Sequence, residues 1–208
     1  MNHVLVAPPR SQALLVLAHG AGAGMRHPFL ERIAQLLGER GVATYRYEFL
    51  YMEKRSGRPD SPVVAEGRVR EAVIDAARVA PGLPIFAGGK SFGGRMTSQA
   101  QAHEPLPGVH GLAFLGFPLH PPGRPGTSRA EHLSDVRVPT LFLQGTRDEF
   151  AGLDLLRPIV KKLGKSATLH IVEGGDHSFK VLQRSGRTEA DVMNELADTI
   201  TAWTGQHA

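Results

Sequence analysis

The segment Gly89-Lys90-Ser91-Phe92-Gly93 constrains this chain most, because it has the G-x-S-x-G form of a nucleophile elbow. The apolar residues 83–87 before it predict a short buried strand, and residues 96–102 after it predict a helix. A serine in such a sharp turn takes a strained backbone conformation that lifts its hydroxyl clear of the sheet. The crowded positions two residues away favour glycine, which has no Cβ. We therefore interpret Ser91 as a nucleophile.

The triplet Gly89-Lys90-Ser91 also resembles part of a phosphate-binding P-loop. That motif requires a further glycine at the position that Pro84 occupies in this chain. Proline has no backbone N–H and cannot contribute to a loop whose amides surround a phosphate. We therefore reject a nucleotide-binding role for this segment.

A catalytic serine needs a histidine as its base and a carboxylate that orients the histidine, because the hydroxyl is a weak nucleophile at neutral pH. Chains with this elbow carry the three residues in the order serine, acid, histidine. Asp148 follows the apolar strand-like residues 138–145, and His177 lies in the glycine-rich loop 173–179. Because the carboxyl ends of parallel strands meet at one edge of a sheet, we expect Ser91, Asp148 and His177 to lie close together.

Two other acids compete with Asp148 for the role of orienting His177. Asp176 directly precedes the histidine, and Asp154 follows Asp148 closely. We prefer Asp148, because an acid that follows the strand before the last one approaches the imidazole from a separate loop. His120 is a further histidine in a proline-rich loop, and we interpret it as a surface or wall residue.

Three basic residues are further candidates for a role at the predicted site. The position of Lys90 beside the nucleophile follows from the motif itself. For Arg46 and Arg95 we expect structural ion pairs, and the alternative is binding of a carboxylate or phosphate on the substrate.

Three signatures in fixed order, His19–Gly24, Gly89–Gly93, and Asp148 with Gly175–Phe179, resemble the α/β-hydrolase superfamily over nearly the whole chain. The chain is most similar to a short, lidless bacterial branch related to dienelactone hydrolases and to the hydrolase-like domain of a chromatin-complex subunit. Dienelactone hydrolases carry a cysteine nucleophile, whereas this chain has no cysteine. Serine is therefore the expected nucleophile, and dienelactone is not the expected substrate.

The resemblance also implies where the oxyanion of a tetrahedral intermediate would bind. The superfamily uses the amide after the nucleophile and one amide of the loop after an early strand. In this sequence these are the amides of Phe92 and Ala21, with Gly22 as the alternative to Ala21.

Strand and helix patterns alternate along the chain. Together with the resemblance, the alternation predicts an α/β-hydrolase fold in one domain over residues 1–208. Its sheet is mainly parallel, has about seven strands and carries helices on both faces. The loops 47–59 and 116–126 are expected to frame an open pocket, and neither is long enough for a lid domain. Strands are predicted near Val4–Val6, Leu14–Ala18, Val42–Arg46, Pro84–Ala87, Gly111–Leu115, Pro139–Leu143 and Leu169–Val172. Helices are predicted near Pro28–Arg40, Val63–Val79, Ser91–His103, Leu153–Leu163 and Thr188–Trp203.

The composition, with 41% hydrophobic and 21% charged residues in 208, is typical of a globular enzyme. Neither a signal segment nor an apolar run of bilayer length is present, so we expect a cytoplasmic protein without a membrane partner. The absence of cysteine excludes disulfides and thiolate metal sites, and we expect neither a metal nor another cofactor. The net charge of +4 is scattered along the chain, which does not predict a nucleic-acid partner.

These observations predict a serine hydrolase that cleaves a carboxylic ester or thioester of a small or extended acyl substrate through a Ser-His-Asp triad and an acyl-enzyme. Two alternatives stay open at this point. One is a hydrolase-fold binding or scaffold protein without activity. The other is a peptidase or C–C bond hydrolase that uses the same triad.

Overall fold

The computed structural model describes residues 1–208, and its central feature is a seven-stranded sheet with the strand order β1-β3-β2-β4-β5-β6-β7. The edge strand β1 runs antiparallel to β3, and the remaining neighbours are parallel. The predicted α/β-hydrolase fold with a mainly parallel sheet is therefore confirmed. The strands are β1 (His3–Val6), β2 (Ala13–Ala18), β3 (Val42–Tyr47), β4 (Ile85–Lys90), β5 (Val109–Leu115), β6 (Thr140–Gly145) and β7 (Ala167–Val172).

Helices cover both faces of the sheet. They are α1 (Pro28–Glu39), α2 (Leu50–Glu53), α3 (Pro62–Val79), α4 (Phe92–His103), α5 (Leu153–Leu163) and α6 (Glu189–His207). Because successive side chains of a strand point to opposite faces, β2 contributes to two apolar clusters. Leu14 and Val16 pack in a cluster with residues of α3 and α4, and Leu15 and Leu17 pack with residues of α1 and α6. None of the helices combines the length and apolar character needed to span a membrane.

The largest change from a predicted strand boundary occurs in front of the nucleophile. β4 continues through Gly88 and Gly89 to Lys90, whereas the apolar pattern predicts its end at Ala87. These two glycines allow unusually close strand packing: a Cβ on Gly88 would lie 1.9 Å from the carbonyl oxygen of Ala113, and one on Gly89 would lie 2.4 Å from that of Ala18. Glycine has a low strand propensity, so the residues that make this packing possible also conceal the strand in the sequence.

Candidate active site

Ser91 lies in the turn between β4 and α4, with φ of 51° and ψ of −113°. This is a left-handed conformation that non-glycine residues adopt rarely and that needs support from its surroundings. The support is steric: a Cβ on Gly93 would lie 2.6 Å from the carbonyl oxygen of His19. The backbones of β2, β4 and α4 therefore meet around Ser91 and hold its hydroxyl at the carboxyl edge of the sheet.

The structure brings Ser91, His177 and Asp148 into one hydrogen-bonded series. Ser91 Oγ lies 2.8 Å from His177 Nε2, and His177 Nδ1 lies 2.7 Å from Asp148 Oδ2. The side chain of Asp148 is 0% exposed, and its carboxylate also accepts the amide of Phe150 at 2.8 Å. With Nδ1–H donating to Asp148, Nε2 is free to accept the serine proton. This geometry can activate a nucleophile.

Gln144, at the end of β6, is a site residue that the sequence reasoning missed. Its Nε2 donates to Asp148 Oδ2 at 2.6 Å, and its Oε1 accepts the amide of Phe117 at 3.0 Å. The side chain is fully buried. Its only sequence signal is a polar residue in an otherwise apolar strand. Gln144 thus donates to the same carboxylate oxygen as the imidazole and connects the carboxylate to the loop after β5.

The other two candidate acids have different positions. Asp176 Oδ1 accepts the amides of Ser178 and Lys180, at 2.8 and 2.9 Å, so this carboxylate shapes the turn that carries His177. Asp154 lies in the first turn of α5. Of the three acids, Asp148 is the one hydrogen-bonded to the imidazole.

The loop after β2 discriminates between the two candidate oxyanion amides. The amide of Gly22 donates to the hydroxyl of Tyr51 at 2.8 Å. The amide of Ala21 donates no backbone hydrogen bond. Phe92 occupies the first position of α4, where the amides have no partner within the helix. This arrangement favours Ala21 over Gly22 as the partner of Phe92.

His19 supports the same loop from inside the protein. Its Nδ1 lies 2.7 Å from the carbonyl oxygen of Gly20, and its Nε2 lies 3.2 Å from the amide of Phe49. Burial lowers the pKa of His19, and the hydrogen bond to Gly20 and the carboxylate of Glu48 oppose this shift. A neutral ring can donate from Nδ1 and accept at Nε2, so His19 joins the loop to the segment after β3.

Lys90 connects the elbow to the loop of His177. Its Nζ donates to the carbonyl oxygen of His177 at 2.5 Å, in a space that is open because Gly116 has no side chain: a Cβ there would lie 3.0 Å from Nζ. Burial lowers the pKa of Lys90 to about 8, and the carboxylates of Asp148 and Asp176 oppose this shift. The motif explains where Lys90 lies in the sequence, but not this contact.

We expect the free energy of unfolding of the wild type to rise relative to that of Lys90→Met between pH 8 and 10.5. The folded-state pKa of Lys90, about 8, lies below its ordinary value of 10.5. In this window the unfolded wild type binds more protons than the folded protein, so stability rises with pH. Below the window both states are protonated, and the difference between the two proteins is constant. Urea unfolding of both proteins across this range measures it; a difference that does not change with pH would contradict a desolvated ammonium.

A cleft of about 630 Å³ opens beside Ser91 and His177. Its walls include Ala23, Phe29 and Phe150. The prediction that loops 47–59 and 116–126 frame the pocket is wrong for this cleft, because neither loop lines it. The walls come mainly from the β2–α1 connection and from the connection that carries His177.

The predicted ion pairs of Arg46 and Arg95 are not present. Arg46 donates to the carbonyl oxygen of Met25 at 2.9 Å. Arg95 lies over the ring of Phe92, with its guanidinium carbon 5.8 Å from the ring centroid. His120 is buried, and its Nδ1 lies 2.9 Å from the carbonyl oxygen of Pro121.

Comparison with protein families and solved structures gives consistent findings. A model of the alpha/beta hydrolase domain family matches residues 11–205. The structure resembles a dienelactone hydrolase from Anabaena variabilis, with a TM-score of 0.75 and 21% identity over 99% of this chain and 91% of that one. It also resembles a serine hydrolase without a lid from Xanthomonas campestris, with a TM-score of 0.73 and 20% identity over 97% and 88% of the two chains. At these identities the likeness shows the fold alone.

Two curated Mycobacterium tuberculosis proteins, from two strains, are each 26% identical to this chain over 208 residues. Both are provisionally named as a phosphoribosyl transferase. The similarity covers 98% of this chain but 43% of each of those proteins. This chain therefore spans less than half the length of the curated relatives it matches.

Proposed function

Since this chain belongs to the alpha/beta hydrolase domain family, we propose that it is a serine hydrolase that cleaves carboxylic esters or thioesters. The observation that carries the proposal is the hydrogen-bonded series from Ser91 through His177 to the buried Asp148, at the mouth of an open cleft. Such a series is what a hydroxyl nucleophile requires at neutral pH.

In the proposed reaction, Ser91 Oγ attacks the acyl carbon while His177 Nε2 takes its proton. Asp148 holds the imidazole and stabilises its charged form. The amides of Phe92 and Ala21 donate to the oxyanion of the tetrahedral intermediate. The intermediate collapses as His177 protonates the departing alcohol or thiol, which leaves the acyl group on Ser91. Water, deprotonated by His177, then attacks the acyl-enzyme and releases the acid.

The walls of the cleft support an acyl substrate with an apolar part. Pro28, Phe29 and Leu30 contribute side chains to it, and Ser91 and His177 lie at its border. Ligand sites commonly combine apolar walls with a few polar groups that fix orientation. We also propose that residues 1–208 form a single domain that acts in the cytoplasm on a small-molecule acyl substrate, without a nucleic-acid or membrane partner.

The phosphoribosyl transferase name is not transferred to this chain. It describes proteins of which this chain spans 43%, and the geometry around Ser91 supports the proposal of acyl transfer instead. A name given to a longer protein is compatible with a different activity in one of its parts.

Intact-mass analysis after treatment with a fluorophosphonate tests the proposal. We expect one adduct on the wild type and none on Ser91→Ala, because the reagent modifies a serine that a neighbouring base activates. Ser98→Ala is the matched control, since Ser98 Oγ also lies close to a histidine nitrogen, 2.7 Å from His132 Nε2, but is buried. Its adduct is expected to equal that of the wild type. Failure of the folded wild type to react would contradict an activated Ser91.

A further inference from the structure

Arg95 and Arg129 are two half-buried arginines without a carboxylate partner. The NH1 group of Arg129 donates to the carbonyl oxygen of His120 at 3.0 Å, and that of Arg95 lies 3.5 Å from Gln99 Oε1. Arg95 Nε is buried and has no hydrogen-bond partner. The acid that acts electrostatically on Arg95, Glu66, is hydrogen-bonded to His103 at 2.7 Å. Most of the bonding capacity of these two guanidinium groups is therefore unused.

Other arginines of comparable burial have acidic partners. Arg40 pairs with Asp198, Arg68 with Glu53 and Glu71, Arg70 with Glu104, and Arg187 with Glu195. Arg46 is an exception: it is buried, donates to the carbonyl oxygen of Met25 and also has an Nε without a partner. Acids are thus available to most buried arginines in this fold, and Arg95 and Arg129 are the two half-buried ones that lack them.

Arg95 lies on α4, and Arg129 lies on the 3₁₀ segment Ser128–Asp135, which packs against α4. Ser98 Oγ of the helix lies 2.7 Å from His132 Nε2 of this segment, and the charges of the two arginines act on each other across the same contact. Burial lowers the pKa of Arg95, and the charge of Arg129 lowers it further. Burial likewise lowers the pKa of Arg129. The neighbouring His132 responds to the same surroundings: burial, followed by the charge of Arg95, lowers its pKa to about 4. An oxyanion that accepts hydrogen bonds from both guanidinium groups would relieve this repulsion, and arginine suits carboxylate and phosphate geometry.

Both arginines are connected to the catalytic residues. Arg95 follows Ser91 by one helical turn, and its amide donates to the carbonyl oxygen of Ser91 at 3.1 Å. Helical side chains tilt toward the N-terminus of the helix, and the guanidinium of Arg95 accordingly lies over Phe92, the proposed oxyanion donor. Arg129 binds the loop after β5 at His120, and the amide of Leu119 in that loop donates to Phe150, whose ring centroid is 4.3 Å from that of His177.

We propose that Arg95 and Arg129 form an anion subsite that binds a carboxylate or phosphate group carried by the substrate. Neither arginine lines the cleft beside Phe29, so the subsite lies at another side of Ser91. The substrate class is then an ester or thioester with an apolar part for the cleft and an anionic part for the arginines. This inference rests on the proposed function and makes it narrower.

The kinetic test uses two esters of the same length, the 4-nitrophenyl monoester of adipic acid and its neutral methyl ester. We expect the wild type to prefer the anionic ester in kcat/KM by about tenfold, mainly through KM, because a charge-assisted hydrogen bond is stronger than a neutral one. Inorganic phosphate is the second probe, as a competitive inhibitor of neutral-ester hydrolysis. The first probe reports on a carboxylate and the second on a phosphate.

The variants are Arg95→Gln, Arg129→Gln and the double variant, with Arg137→Gln as the control. Arg137 is exposed, and its replacement changes the net charge equally. It therefore measures any long-range electrostatic effect on the anionic ester. Arg95→Lys keeps the positive charge but lacks the planar set of N–H donors of a guanidinium group. It replaces Arg95→Gln if circular dichroism shows that Arg95→Gln is not folded.

Loss of the preference or of phosphate inhibition in the arginine variants, with neutral-ester turnover retained and Arg137→Gln unchanged, supports the subsite. If the wild type hydrolyses the neutral ester but neither prefers the anionic ester nor is inhibited by phosphate, the subsite is wrong and the proposed function stands. The subsite is also wrong if the double variant keeps both effects.

If the wild type hydrolyses no ester, the proposed function fails. The existence of the anion subsite is then tested by phosphate binding alone. In that case phosphate is added to the Ser91→Ala protein during thermal unfolding. A rise in Tm that Arg129→Gln abolishes supports the subsite, and the absence of a rise overturns it.

Discussion

Ser91→Ala is expected to lower kcat for a good ester substrate by a factor on the order of 10⁶, with no loss in Tm. The change removes the nucleophile, and what remains is the smaller contribution of substrate binding and the oxyanion amides. Folding is unaffected because the side chain of Ser91 makes one protein hydrogen bond, to His177 Nε2. Turnover of a short 4-nitrophenyl ester and thermal unfolding of both proteins measure the two effects.

His177→Ala and the double variant are the controls for this prediction. Ser91 and His177 contribute to catalysis only in combination, so the loss of either one removes the contribution of both. Each single variant and the double variant are therefore expected to have nearly equal residual rates. If Ser91→Ala retained turnover near that of the wild type in pure protein, another residue would be the nucleophile and the proposed mechanism would be wrong.

Asp148→Asn is expected to lower kcat by about 10⁴ while the fold is preserved. The carboxylate accepts from His177 Nδ1 at 2.7 Å and from Gln144 Nε2 at 2.6 Å. Both of these bonds end on Oδ2, and Oδ1 accepts the amide of Phe150 at 2.8 Å. An asparagine has one acceptor oxygen, so its NH2 group faces either the Phe150 amide or the imidazole, and the second arrangement favours the wrong imidazole tautomer. Turnover measured across pH separates this effect from a simple loss of stability.

Asp176→Asn is the matched control, because it makes the same chemical change one residue from His177. The Asp176 carboxylate accepts the amides of Ser178 and Lys180 and makes no hydrogen bond to the imidazole. Its replacement is expected to reduce kcat by less than about tenfold, since it alters the turn rather than the tautomer. A larger loss in Asp176→Asn than in Asp148→Asn would transfer the orienting role to Asp176.

Elements with a local pattern were predictable from the sequence. The bounds of α5 agree with the prediction at both ends, and those of α3 differ by one residue at the start. Apolar periodicity and capping residues are contained in these segments themselves. The helix α2 and the 3₁₀ segment Ser128–Asp135 were missed. Both lack a repeating apolar pattern, and α2 is too short to show one.

The features of the candidate site that the sequence did not predict are contacts between distant parts of the chain. The motif order placed Ser91, Asp148 and His177 at one sheet edge, but it gave no sign that Lys90 would bind the carbonyl of His177 or that Tyr51 would occupy the amide of Gly22. These bonds depend on how side chains pack once the sheet has formed. The ion pair predicted for Arg95 was wrong for the same reason: the acid within its electrostatic reach, Glu66, is bonded to His103.

The glycines around Ser91 have a consequence for how this molecule loses activity. The strained turn is held by close contacts between the backbones of β2, β4, β5 and the start of α4, and the one side chain closest to Gly89 and Gly93, the methyl group of Ala18, has no other rotamer to adopt. The serine therefore cannot relax to an ordinary conformation unless these strands separate. Separation of central strands is global unfolding rather than a local fluctuation. Heat or denaturant is accordingly expected to abolish the activity and the fold in one cooperative step, without a populated state that is folded but inactive.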